Sequence, residues 1–463
     1  MLNNKSQASI GIAILLTCAI IFLLFNAFKL PPQSGFIAIL ALPLFIIAFI
    51  NTNFALIILI FAMLFSPQIG VGGIPGREIG IRIDDVFLIV IFLGWMAKIA
   101  IKKELGFLKN TPLNLPILTY ILISIISTLA GILWRQARPF TSIFYFSKYL
   151  EYFLLFFLVS NNLKSLRQAR VFIYSMILVA LLTSIYAWIQ HYLGVQRVAA
   201  PFQTKASEAN IFGGYLLLMI MVITGLLLNL SSHKLRIYLA VSLFFGFFAL
   251  LFTLSRGSWL GALPAFAVLA ILTRKGKIIL FLAFLFIILS SSFIIPRYVK
   301  ERVQSTFVQE KEYTVFGRRF GVDESAAARI DSWKYGLRKL TKAPLLGYGV
   351  GSAVPIVDNQ YVRVLIEVGL VGFIAFTWIL LVLFRSAMLV LRQFREDNFA
   401  MGLTCGFIAG FVGLLFHCFS AETFIVIRIM EPFWFLTAIV MALPELIVND
   451  REEAAEEIIP QSI

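Results

Sequence analysis

Charge is scarce in this sequence. Only 14% of its 463 residues are Asp, Glu, Lys or Arg, where a soluble domain carries about a quarter. The shortage runs along the whole chain, so no segment outside one middle loop could form a sizeable soluble domain. Cysteine is nearly missing as well. Cys18, Cys405 and Cys418 all lie inside apolar runs, which excludes a disulfide framework and zinc-ligand spacing. The sequence has no P-loop, no G-x-S-x-G elbow and no H-E-x-x-H helix, so the familiar soluble-enzyme sites are excluded. The alternation expected of a lipid-facing barrel is absent, and so are low-complexity tracts and a fixed-period soluble repeat.

Apolar residues take the place of charge. They make up 60% of the chain, and the mean hydropathy is +0.92. Runs of roughly 17–25 apolar residues recur, long enough to cross a hydrocarbon core of about 30 Å. Backbone groups in lipid must be paired within each span, so the runs predict helices. The fold class expected is all-α: a polytopic transmembrane bundle of about 12–14 spans. The count of 14 places them at roughly 10–28, 36–50, 54–71, 84–101, 113–133, 143–159, 170–190, 210–230, 236–254, 257–273, 278–295, 359–384, 400–420 and 424–447. The second and third are short enough for a re-entrant pair. Cys18 follows Leu15, Leu16 and Thr17, a faint lipoprotein echo, but the apolar run continues past it and reads as an uncleaved first span.

The net charge of +15 does not point to nucleic acid, because the cations cluster in short links between spans. Lys98, Lys102, Lys103 and Lys109 share one link, and Lys164, Arg167 and Arg170 another. Three more hold His233, Lys234 and Arg236; Arg274, Lys275 and Lys277; and Arg385, Arg392 and Arg395. All five fall on the same side, as cytoplasmic links should. Both termini are then expected in the cytoplasm, with segment 296–358 outside the membrane. The chain divides into an N-terminal bundle (1–295), an extracytoplasmic loop (296–358), C-terminal spans (359–447) and an acidic tail (448–463) expected to fray.

Within the loop, Val299, Val303 and Phe307 sit at helical spacing, and so do Ile330, Trp333, Leu337 and Leu340. Both stretches predict amphipathic helices near the membrane surface. Asp323 or Ser325 can cap the second, and Pro344 follows its end. The Gly-rich stretch Leu346–Gly351 then turns the chain back.

Chemistry has few places to reside. Ser255-Arg256-Gly257-Ser258-Trp259 lies between two spans with almost no link, and an outside arginine runs against the positive-inside rule. Arg329-Ile330-Asp331-Ser332-Trp333 sits in the loop helix, where a solvated face is the plain alternative. Asp358-Asn359-Gln360-Tyr361, with Arg363 and Glu367, opens a long apolar run, and Asp358 reads either as a helix cap or as a base. Glu208 and Asn210 begin another span and could line the same cavity. Asp84 and Asp85 sit where a cap is expected, though they could also imitate an acidic metal site. Lys148 with Glu151 and Arg428 with Glu431 form i,i+3 pairs that predict intramembrane ion pairs. Trp259, Trp333, Tyr348 and Tyr361 could stack on sugars or serve as interfacial anchors.

Taken in order, S-R-G-x-W, R-x-x-x-W, P-L-L-G-x-G-x-G and D-N-x-Y-x-x-x-x-x-E-x-G-L-x-G resemble the O-antigen ligase and O-antigen polymerase family. The resemblance is concentrated in about 200–380. It implies a membrane-embedded glycosyltransferase of the C type, without a cofactor or metal. Such an enzyme moves a glycan from an undecaprenyl-diphosphate carrier to a glycan or lipid-core acceptor on the outer face. By resemblance, Arg256 and Arg329 hold the donor diphosphate. Ligases carry a proposed histidine base where this chain has Asp358, followed by the expected Asn359. That departure is closer to polymerase-like members, and to cell-wall glycan polymerases in which an aspartate is proposed. Asn359, Tyr361, Arg363 and Glu367 belong to the same motif and are candidates for substrate contact, with Glu208 and Asn210 beside them. The residues fit the implied chemistry. Arginine forks match diphosphate oxygens and can stabilise the leaving charge, and a carboxylate can take the acceptor proton in an inverting displacement. The rival reading is a transporter or flippase of lipid-linked oligosaccharide, which calls for internal repeats and paired midplane charges.

Overall fold

The computed structural model describes residues 42–74, 77–102, 109–203, 208–273, 311–315, 318–322, 324–353 and 357–458. The spans predicted at 10–28 and 278–295, the Val299–Phe307 stretch, Cys18 and Asp323 lie outside these residues.

The described chain is an α-helical bundle. A helical stretch at 42–50 precedes α1 (Thr52–Phe65), α2 (Ile83–Lys102), α3 (Asn114–Leu133), α4 (Pro139–Asn162), α5 (Leu166–Tyr192), α6 (Glu208–Asn229), α7 (His233–Phe252) and α8 (Arg256–Leu272). After the loop come α9 (Glu324–Leu340), α10 (Gln360–Gln393), α11 (Asn398–His417) and α12 (Ile427–Ile458). Eight helices among the described residues are long and apolar enough to cross a membrane: α3 to α7 and α10 to α12.

Four expectations change. The span predicted at 54–71 ends at Phe65, because Pro67 has no amide to donate and drives Ser66 into an extended conformation. Residues Gln68–Ile74 (β1) and Arg77–Arg82 (β2) then form an antiparallel hairpin, and a second hairpin joins Lys311–Val315 (β3) to Arg318–Val322 (β4). Neither hairpin was predicted. The acidic tail continues α12 to Ile458. Finally, α10 is interrupted at Gly369, whose φ of 66° and ψ of −167° no helix contains.

Packing at the centre depends on small residues. In α11, Gly402, Gly406 and Gly410 recur every four positions along the face pressed on α6, and a Cβ at Gly406 would lie 2.5 Å from the Met221 carbonyl oxygen. Such a row lets two apolar helices touch backbone to backbone, as helices surrounded by lipid tend to do. The ends of α6, α8, α10, α11 and α12 are thereby brought together at one end of the bundle.

A candidate glycan-transfer site at one end of the bundle

The site is built from helix ends. After α7 the chain turns through Leu254, in the left-handed region at φ 52°, and Ser255 caps α8 by accepting the Ser258 amide at 3.3 Å. Arg256 is therefore the first residue of α8, half-buried beside the turn. Arg197 anchors that turn, donating from Nε to the Thr253 carbonyl (3.3 Å) and from Nη2 to Asn210 Oδ1 (3.0 Å). The next residue of α8 must be Gly257, because a Cβ there would lie 1.8 Å from Ser420 Oγ.

Ser420 belongs to the turn between α11 and α12, and that turn organises the site. His417 Nδ1 pairs with Thr423 Oγ1 at 2.8 Å, and the buried imidazole packs against Gly214 of α6. The Cys418 carbonyl accepts the Gln360 amide (3.0 Å), the Gln360 side-chain oxygen accepts the Phe424 amide (2.9 Å), and Tyr361 Oη donates to Leu415 O (2.7 Å). The starts of α6, α8, α10 and α12 consequently converge on one turn. Each brings a positive dipole end, so together they favour an anion.

Asp358 lies at the rim of this cluster. Asn359 caps α10, its Oδ1 accepting the amides of Tyr361 (2.9 Å) and Val362 (3.1 Å). The capping alternative for Asp358 therefore passes to its neighbour. The Asp358 side chain is 50% exposed, with Oδ2 3.7 Å from Arg329 Nε. Arg329 projects from α9, which is seated on the first turns of α10 where Gly336 meets Val362 and Ile366. Trp333, one turn on, packs against Tyr348, Val357 and Val362. Arg329 is also near enough to act electrostatically on His417, whose ring lies beside Gly257. Arg256, Arg329 and Asp358 thus border the same turn.

Arg363 and Glu367 sit deeper and are committed to each other. Arg363 Nε pairs with Glu367 Oε1 at 2.9 Å and Nη1 with Glu422 Oε2 at 2.5 Å, while its guanidinium lies 4.8 Å from the Tyr145 ring. Glu367 also accepts the Gly351 amide (3.1 Å) and the Tyr149 hydroxyl (3.2 Å). Their geometry is that of a buried brace.

The brace holds the Gly-rich loop in the break of α10. The Tyr348 and Gly349 amides donate to Ile366 O and Glu367 O at 2.9 and 2.8 Å, and the Leu370 amide donates to Pro344 O at 2.8 Å. The loop thereby pairs the backbone groups that the kink releases, a necessity inside a bundle. A Cβ at Gly369 would lie 2.2 Å from Leu345 O. Lys339 of α9 reaches over this loop to Ser352 O (3.1 Å) and the Tyr348 ring, and its half-burial lowers the ammonium pKa.

Elsewhere the charged residues divide. Lys148 pairs with Glu151 at 3.1 Å as expected, and also with Asp85. Asp85 accepts the Arg82 amide (3.0 Å), and Asp84 takes a bond from Ser66 Oγ (2.6 Å) and pairs with the Arg82 guanidinium. Arg428 does not pair with Glu431. It donates to the carbonyls of Leu64 (2.8 Å), Ser66 (2.9 Å) and Pro201 (3.2 Å), because the last carbonyls of α1 have no partners of their own. Glu431 faces Asp84 instead. Glu208 begins α6 within electrostatic reach of Arg428, one step away from the Asp358 rim.

Residues 240–377 match the O-antigen ligase family. The matched stretch runs from within α7 to the first half of α10 and contains Arg256, Arg329, Asp358, Arg363 and Glu367. The similarity points to glycosyl transfer at a membrane. No curated protein matches the chain. His417, Arg197, Glu422 and Tyr149 went unnoticed in the sequence. A signal existed for His417, one of three histidines in the chain and the one inside an apolar run at a span's end.

Proposed function

We propose that the protein transfers a glycan from an undecaprenyl-diphosphate carrier to an acceptor hydroxyl on the outer face of the inner membrane, with inversion. Arg256 and Arg329 bind the diphosphate among the four helix starts. Asp358 accepts the proton of the acceptor hydroxyl as its oxygen attacks the anomeric carbon. The bond from that carbon to the phosphate oxygen breaks, and its electron pair leaves with the diphosphate. The arginines and the helix dipoles stabilise the growing negative charge, the role preorganised dipoles perform best. The observation that carries this reading is the exchange at the start of α10. Asn359 caps the helix, which leaves a half-exposed Asp358 carboxylate beside Arg329.

An aspartate where ligases carry a histidine favours extension of a glycan over its attachment to a lipid core. The transporter reading calls for internal repeats and paired midplane charges in matching halves, and neither is evident in the sequence. The experiment uses the purified full-length protein in lipid nanodiscs with a synthetic lipid-diphosphate oligosaccharide. Longer glycans and free lipid diphosphate should appear together, and substitution of Asp358 should stop both. Movement of the intact donor across vesicles without bond cleavage would establish the transporter instead.

A further inference from the structure

The turn between α3 and α4 departs from ordinary helix-end chemistry. Helix α3 ends at Leu133, and the Gln136 and Ala137 amides close back on Gly131 O at 2.8 and 3.0 Å. A chain reversing this way normally places glycine in the left-handed position. Here that position holds Arg135, at φ 56°. A side-chain-bearing residue is strained there, and strain of this kind collects at functional sites. Arg135 is exposed, as is Arg138, which occupies the N-cap position of α4 without making a capping bond. Trp134 and Phe140, 63% and 64% exposed, flank the pair.

The turn is continuous with the candidate site. Ala137 lies against Gly349, Thr141 lies against Gly351, and the Gly351 amide is held by Glu367. One turn beyond Thr141, Tyr145 carries the Arg363 guanidinium. Two exposed arginines, whose forks match phosphate oxygens, thus stand at a helix start between two exposed aromatic rings.

We propose that the Trp134–Phe140 turn is the entry port at which the lipid-linked donor is first captured. Arg135 and Arg138 bind its diphosphate before it passes along the Gly-rich loop to Arg256 and Arg329. The inference rests on the function proposed above and adds a second diphosphate-binding position to it.

The decisive variant is Arg135→Gly, which supplies the residue the backbone prefers and removes only the guanidinium. In nanodiscs the melting temperature should hold or rise, and KM for the donor should increase about tenfold with turnover at saturation retained. Arg135→Lys should fall between, and Arg138→Ala should resemble Arg135→Gly. An unchanged KM in both Arg135→Gly and Arg138→Ala overturns the port. Binding of a fluorescent undecaprenyl diphosphate separates the two readings. If wild type does not bind it, the function itself fails; if wild type and Arg135→Gly bind equally, only the port fails. Competition by phosphatidylglycerol as strong as by lipid diphosphate would assign the turn to bulk anionic lipid and overturn the port as well.

Discussion

Replacement of Asp358 by asparagine separates a base from a structural carboxylate more sharply here than at most helix starts. The cap belongs to Asn359, so the variant leaves both capping hydrogen bonds in place. Among the contacts the variant does weaken is the one with Arg329, at 3.7 Å and half-exposed. Pairs of that kind contribute about 0–1 kcal/mol. Loss of a general base typically slows a reaction by about 10²–10⁴-fold, which corresponds to roughly 3–5 kcal/mol of barrier at about 1.4 kcal/mol per tenfold. The two effects differ enough to be read independently. In the reconstituted transfer assay, Asp358→Asn and Asp358→Ala should both lose at least about a hundredfold in rate. Their melting temperatures should stay within a few degrees of wild type. Asp358→His should recover part of the rate and add an acid limb near the histidine reference pKa of about 6.5. A rate for Asp358→Asn within about tenfold of wild type, on a well-folded protein, would show that the proton goes elsewhere and refute the assignment.

Arg256→Ala and Arg329→Ala should each abolish product at unchanged protein level, and the lysine variants should remain badly impaired, since an ammonium cannot reproduce the bidentate fork; gel analysis of glycan from cells reads both. Glu367→Ala should do the opposite of Asp358→Asn: with Arg363 left buried against Glu422 alone, stability should fall by about 3–5 kcal/mol, visible as poor recovery of folded protein. Gly369→Ala should also fail structurally, because left-handed strain of about 1–2 kcal/mol adds to a clash with the Leu345 carbonyl, and a lower melting temperature in detergent checks it. A single cysteine at exposed Gln136 should react with an impermeant thiol reagent in intact cells and one at Lys234 should not; the reverse pattern would put the site in the cytoplasm.

Sequence alone determined what depends on composition and order along the chain. Apolar runs of sufficient length must become helices in lipid, so α3 to α7 and α11 begin and end within a few residues of where hydropathy placed them. Four short motifs in a fixed order likewise marked the stretch that matches the O-antigen ligase family. What hydropathy could not determine were choices made between neighbours or between distant partners. Asp358 and Asn359 are equally good caps on paper, and the tertiary position of Phe419, whose carbonyl accepts from the Asn359 side-chain Nδ2 at 3.3 Å, favours the second. Arg428 and Glu431 share a helix face, yet the end of α1 delivers the Leu64 and Ser66 carbonyls to the guanidinium and the link before α6 delivers that of Pro201, all from more than 200 positions away. The break in α10 is the plainest case. Gly369 looks like any glycine in a span until the loop at Leu345 arrives to pair its exposed backbone, and only the folded chain brings that loop to it.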